Sequence, residues 1–336
     1  MTHKKTGTPR KKAASKKRSG KPKWNSSTTP PVITDRRAME KTMFDMGRLL
    51  EQQNFESIEE ANAFLNQFVG SKHIPVSTEN MTPIERAQEK MYEAWDATGK
   101  RRVKLAKEAL EISPDSADAY VLLAEETARS PQAALKLYEQ GMQAGERALG
   151  PEAFQEAVGH FWGLFETRPY MRARAGVAEC LWATGKFDEA TFHYGEMLRL
   201  NPSDNQGNRY MLARLLLKQD KNEELGQLLD QYDEERSAEW LYTRALWLYR
   251  RDGDSRKATK ALKEAFEQNP FVPLYLSGLK ETPRRLPEYM GFGDENEAIH
   301  YFVENVEAWL DTPGALEWFA KSFKDVISNL EKKSIM

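Results

Sequence analysis

The residue types that do chemistry are sparse in this 336-residue chain. Its five histidines, His3, His73, His160, His193 and His300, all lie more than a helical turn apart. None has the paired spacing that four-ligand zinc sites use. The single cysteine, Cys180, excludes a disulfide framework within the chain. No His or Asn pattern accompanies it, so it reads as a small core hydrophobe rather than a nucleophile. Gly291-Phe292-Gly293-Asp294 follows no strand pattern and so lacks the setting of a dinucleotide loop. Asp252-Gly253-Asp254-Ser255 begins like a calcium loop, but the later ligands are missing. Gly253 reads instead as a turn residue, with Asp254 or Ser255 capping the next helix. Ser203-Asp204-Asn205 reads as a helix start after Pro202. The expectation is a non-catalytic chain with no cofactor and no metal, working through its surface.

Recognition chemistry is better represented. Arg172, Glu179 and Trp182 form one set, Gln206, Arg209 and Tyr210 a second, and Trp240, Arg244, Trp247 and Arg250 a third. Spacings near three, four and seven return to one helical face. Trp, Tyr and Arg anchor interfaces, and arginine pairs carboxylates bidentately. One reading is a groove for a protein or peptide partner, an acidic segment with an apolar anchor. The other is that the tryptophans pack between helices and the arginines satisfy acidic neighbours. The sequence leaves both open.

Charge is unevenly spread. Ten Lys and Arg and no acid fall within residues 1–23, although the whole chain carries a net charge of −2. The remainder holds 39 basic against 51 acidic residues. Residues 1–31 have almost nothing apolar to bury, which predicts a disordered basic arm. Lys11, Lys12, Lys16, Lys17 and Arg18 are its candidate polyanion contacts, suited to weak, nonspecific nucleic-acid binding by counterion release. That makes an RNA- or ribosome-associated adaptor the alternative reading, with an enzyme bearing an unrecognised surface site a distant third. No apolar run approaches the ~20 residues needed to cross a bilayer, so no membrane span and a cytoplasmic setting are expected.

The elements that must position these residues are helical. Apolar residues recur at helical spacing in 32–82, which holds Phe44, Leu49, Ile58, Phe64 and Phe68 and ends in a loop. Ser57 with Glu60, and Thr82-Pro83 with Glu85, are helix-start signatures. Gly185, Ala190 and Pro202 recur at Gly253, Ala258 and Pro270, an offset of 68, or twice 34. Thirty-four residues is the period of the tetratricopeptide repeat (TPR), a helix–turn–helix unit. The reading is an all-α, TPR-like helical-hairpin superhelix over 83–272. Regular units fall at 171–204, 205–238 and 239–272, and the middle one lacks its glycine and proline. Residues 273–336 then give a connecting loop and a last helical pair, Asp294–Leu310 and Pro313–Leu330.

Three phrases carry a closer resemblance: AYVLLAEE at 119–126, ARAGVAECLWATGKFDEA at 173–190 and NPFVPLYLSG at 269–278. They resemble the TPR core of the suppressor-of-tumorigenicity-seven family and its bacterial relatives. The last phrase has Phe271 where that family's wording leads one to expect His. The resemblance implies a helical scaffold with a generic interaction role and transfers no site residues. Because the arm offers no apolar surface, deleting residues 1–31 is expected to leave helicity and melting temperature unchanged, as read by circular dichroism.

Overall fold

The computed structural model describes residues 37–53, 55–68 and 80–334. The basic arm at 1–31 and most of the expected loop before residue 82 lie outside them. All regular structure among the described residues is helical. The order is α1 (Arg37–Glu51), α2 (Ile58–Leu65), a 3₁₀ turn (Asn66–Phe68), α3 (Pro83–Asp96), α4 (Gly99–Ile112), α5 (Ala117–Thr127) and α6 (Pro131–Glu156). Then come α7 (Arg168–Ala183), α8 (Phe187–Leu200), α9 (Asn208–Lys218), α10 (Asn222–Gln231), α11 (Ala238–Asp252) and α12 (Arg256–Gln268). A short α13 (Val272–Leu276), α14 (Glu295–Leu310) and α15 (Ala315–Ser334) finish the chain.

Local chemistry explains most of the boundaries. Thr82 and Glu85 form a reciprocal capping box around Pro83: Thr82 Oγ1 accepts from Glu85 N at 3.3 Å, and the Glu85 carboxylate accepts from Thr82 N at 2.7 Å. Ser255 caps α12 by accepting from Ala258 N at 3.2 Å, and Asp294 caps α14 by accepting from Glu297 N at 2.8 Å. The start of α5 has no side-chain cap. Ser116 occupies the cap position but its side chain accepts nothing, while Asp115 takes a 2.8 Å ion pair from Arg147 on α6. In α6 the chain kinks at Gly150, where φ is +73° just before Pro151.

The turns inside the three regular hairpins each hold one left-handed residue. Gly185 and Gly253 supply it in the pairs α7–α8 and α11–α12. The pair α9–α10 has no glycine there. Asp220 takes the position at φ +54°, a conformation that Asp tolerates better than most side chains. The degenerate middle unit thus folds as a hairpin like its neighbours.

Each hairpin packs against the next, so the chain stacks as an α-solenoid. The first helices α3, α5 and α7 lie side by side, as do α9 and α11, and together they build one wall. One apolar cluster joins α3, α4 and α5 through Ala87, Met91, Leu105, Ala109 and Leu122. A larger one runs from Val121 to Phe319. Small residues set the helix crossings. Ala190 and Ala258 are fully buried, as their repeat position requires. A Cβ on Gly176 of α7 would lie 2.3 Å from the Tyr138 ring, whereas one on Gly195 of α8 would meet nothing within 4 Å.

That pair makes a test of the packing. Gly176→Ala is expected to destabilise the protein by about 1–3 kcal/mol through overpacking. Gly195→Ala should be neutral or stabilise by up to about 1 kcal/mol through helix propensity. Urea unfolding of the two variants checks the contrast.

Candidate functional site

The first-helix wall is built on buried ion pairs. At its centre Arg172 of α7 reaches the Asp118 carboxylate of α5 at 2.6 and 2.7 Å. The same guanidinium donates to Glu40 of α1 at 3.0 and 3.1 Å, and its face lies 5.3 Å over Trp95 of α3. Asp118 is fully buried and Glu40 is 6 % exposed. Gln88 of α3 gives Asp118 a further hydrogen bond at 3.1 Å. Burial works against the Arg172 charge. Asp118 and then Glu40 outweigh it and hold its pKa above the ordinary arginine value.

This arrangement holds α1 across the wall. Arg48 pairs with Glu85 at 3.3 Å, Lys41 with Glu89 at 3.1 Å, and Phe44 packs on Tyr92 with centroids 5.7 Å apart. Residues 41–48 of α1 thus lie against residues 85–92 of α3. A second self-contact covers the other end. α14 lies against both α9 and α11. Arg214 of α9 pairs with Glu239 of α11 at 2.9 Å and with Glu304 of α14 at 3.2 Å. Asn305 of α14 donates to Glu239 at 2.8 Å.

Several of the expected groove residues are engaged within the chain. Arg209 pairs with Asp204 at 2.9 Å and with Glu235, and Tyr210 donates to Glu235 at 2.8 Å. Arg244 is held by the Leu229 carbonyl and by Asp230 at 3.2 Å. Arg250 donates to the Leu217 carbonyl at 2.7 Å, to Thr312 at 2.8 Å, and to Asp220 at 3.0 Å. Trp240 has no exposed surface and lies between the rings of Tyr210 and Tyr232. Trp247 packs over Gly226 and donates to the Asn222 carbonyl at 2.7 Å. Gln206 sits in the turn before α9 rather than on a helix face. None of the arginines expected to await an external carboxylate is idle, because carboxylates from adjoining loops and helices already meet them.

Glu179 and Trp182 are different. They lie on α7 at the spacing that continues from Arg172, seven and ten residues on, and both are partly exposed. Glu179 makes no hydrogen bond or ion pair with any described residue. Burial and then the nearby charge of Glu125 on α5 push its carboxyl up to about 8. Asp118 and Arg172 are seven residues before Glu125 and Glu179 respectively. The wall thus pairs opposite charges at one level and carries two carboxyl side chains, Glu125 and Glu179, two turns further on.

Cys180 and His193 are both held in their neutral forms by their surroundings. Cys180 is fully buried, and burial followed by the Glu179 charge pushes its thiol up to about 12. That is the reverse of what a nucleophilic thiolate needs. Burial and then Arg174 push His193 down to about 4. No group of three or more potential metal ligands occurs among the described residues, and no described helix is long and apolar enough to cross a membrane.

The family model described as "ST7 protein" matches residues 70–335. The chain belongs to the ST7 family. It is 29% identical over 249 residues to the suppressor of tumorigenicity 7 protein-like of Bos taurus, covering 67% of this chain and 45% of that one. It is 28% identical over 252 residues to the ST7 homolog of Drosophila melanogaster, covering 67% and 46%. Against the ST7 homolog of Caenorhabditis elegans the figures are 26% over 285 residues, 72% and 52%. The chain spans about half the length of the curated relatives it matches.

Sequence reasoning missed Glu40, Asp118, Arg214 and Glu239, which do more in this ST7 member than most of the expected residues. One signal was available. Asp118 interrupts the run Ala117–Ala124, where every other residue but Tyr120 is apolar and buried. A charge on such a face calls for a buried partner. Arg172→Met, which leaves Asp118 and Glu40 uncompensated, should destabilise the protein by about 3–5 kcal/mol. Arg199→Met, which removes an exposed pair with Glu196, should cost at most about 1 kcal/mol. Thermal unfolding of the two variants tests the assignment.

Proposed function

We propose that this ST7-family chain is a non-catalytic scaffold that holds a segment of a partner protein against the first-helix wall. The carrying observation is the stretch of α7 around Glu179 and Trp182. It lies between the part of the wall spanned by α1 and the part covered by α14, and it combines a partly exposed tryptophan with a carboxyl that no described residue pairs. A tryptophan beside an unpaired carboxyl suits a segment bearing a cationic and an apolar side chain. The internal pairing of Arg172, Arg209, Arg244 and Arg250 argues against the acidic segment that the sequence had suggested.

Site-specific photo-crosslinking tests this reading. A photoreactive residue at Trp182 is expected to capture a defined partner in the native cell, and Glu179→Arg should abolish that adduct without lowering the melting temperature. The same probe at Lys260, on the exposed face of α12, should not capture it. Equal capture at both positions, or capture indifferent to Glu179→Arg, would overturn the reading.

A further inference from the structure

Three arginines are buried among the described residues: Arg48, Arg174 and Arg214. Arg48 meets Glu85 at 3.3 Å, and Arg214 meets Glu239 at 2.9 Å. Arg174, on α7, meets no carboxylate among the described residues. It is 7 % exposed, and its one hydrogen bond among them runs from Nη1 to the Tyr170 hydroxyl. That hydroxyl offers no counter-charge, since burial raises its pKa and keeps it neutral. Nε of Arg174 is buried and has no hydrogen-bond partner among the described residues. A buried guanidinium is costly unless it is paired.

The unpaired edge of Arg174 is the one that holds carboxylates elsewhere in the stack. Arg172 donates to Asp118 through Nε and Nη2 at 2.7 and 2.6 Å. Arg214 donates to Glu239 through the same two atoms at 2.9 and 3.0 Å. In Arg174 neither atom has an acceptor among the described residues. Arg174 lies two residues beyond Arg172, or about 200° round the helix, so it faces away from the wall. Its guanidinium carbon lies 5.8 Å from the Tyr170 ring centre and 5.5 Å from that of Phe192 on α8. Phe192 is 60 % exposed, so the guanidinium lies close to solvent. The His193 ring is 5.5 Å from that of Phe192, and its buried Nδ1 has no partner among the described residues. A neutral imidazole can carry its proton on that nitrogen and donate it. The carboxylates on the same face of α8 are engaged: Glu189 meets Lys186 at 3.0 Å, and Glu196 meets Arg199 at 3.0 Å. Glu146 of α6, whose charge also reaches Tyr170, is exposed.

We propose that Arg174, His193 and Phe192 form a binding site for a carboxylate that carries an apolar group. The carboxylate accepts two hydrogen bonds from Nε and Nη2 of Arg174 and a third from Nδ1 of His193, and the apolar group lies on the exposed Phe192 ring. A singly charged planar anion suits the site better than phosphate. The Nε–Nη2 edge is a planar fork, and Glu189 and Glu196 on the neighbouring face of α8 repel a second negative charge. The Phe192 ring swings aside to admit the anion, a rotation that exposed side chains make within nanoseconds. The carboxylate is either the C-terminus of a protein segment or a free small molecule, and the chemistry of recognition is the same for both. The site does not use Glu179 or Trp182 and does not rest on the partner reading above.

Nitrogen-15 spectra of the arginine and histidine side chains in the full chain test this. The Arg174 Nε–H signal is assigned by its loss in Arg174→Lys. Titration with phenylacetate at constant ionic strength is expected to move that signal downfield and to saturate, and to move the His193 ring signals with it. Acetate should bind more weakly, and neither inorganic phosphate nor phenylacetamide should saturate the site. Read at His193, Arg174→Lys should weaken phenylacetate binding about ten-fold or more, because a point charge replaces the fork. Phe192→Ser, at an exposed position, should bring phenylacetate down to the affinity of acetate and leave acetate unchanged. The peptide Ala-Ala-Phe, with a free or an amidated C-terminus, separates the two sources. A response to the free peptide but not the amide supports a protein C-terminus as the ligand, and a response to phenylacetate alone supports a small molecule. No saturable response to either probe overturns the proposal, and so does a response that Arg174→Lys leaves unchanged. A signal that begins at the hydrogen-bonded position and is released by Glu146→Gln or Glu196→Gln overturns it too, because the chain's own carboxylate then serves Arg174. None of these outcomes bears on capture at Trp182, so either reading can fail while the other stands.

Discussion

The guanidinium of Arg172 is the contact on which the arrangement of the wall depends. It lies where three helices from distant parts of the chain meet, and it pairs with two carboxylates that have almost no water around them, Arg168 adding a second charge at Glu40. Taking either carboxylate out of water is unfavourable by itself, and only the planar fork of an arginine satisfies both at once. The geometry therefore fixes how α5 sits against α7 and where α1 crosses them. The pair Arg214–Glu239, extended by Glu304 and Asn305, does the same for α9, α11 and α14. Two polar clamps thus hold α1 against α5 and α7, and α14 against α9 and α11.

This changes what kind of surface the wall is. A solenoid wall lined with free arginines would be a general acceptor for acidic segments. Here each expected arginine is already neutralised, and the tryptophans expected beside them pack into the interhelical core. Glu179 and Trp182 of α7 stay partly exposed.

The family assignment agrees with the parts of the architecture that recur. The matched residues, 70–335, take in every hairpin of the stack and leave out α1. The helix that covers the first part of the wall thus lies outside the matched segment, as does the basic arm before it.

Much of the fold was legible in the sequence because helices and hairpins are set by neighbours within a turn or two. The capping box at Thr82, the turn glycines Gly185 and Gly253 and the small residues Ala190 and Ala258 each act through local geometry. They phase the hairpins without reference to anything distant. Even the degenerate middle unit kept its turn, since Asp220 can replace glycine there. The wall's charge pattern was not legible. Arg172 meets Asp118 at 54 residues' separation and Glu40 at 132, and Arg214 meets Glu239 at 25. Nothing in the spacing of an arginine on its own helix says which carboxylate a neighbouring hairpin will bring to it. The sequence by itself therefore determined an all-helical stack with a basic arm and an acidic body. Only the tertiary structure decided which charges are spent inside, because a buried charge is governed by the helices that happen to adjoin it, and adjacency across the stack is a property of the packed whole.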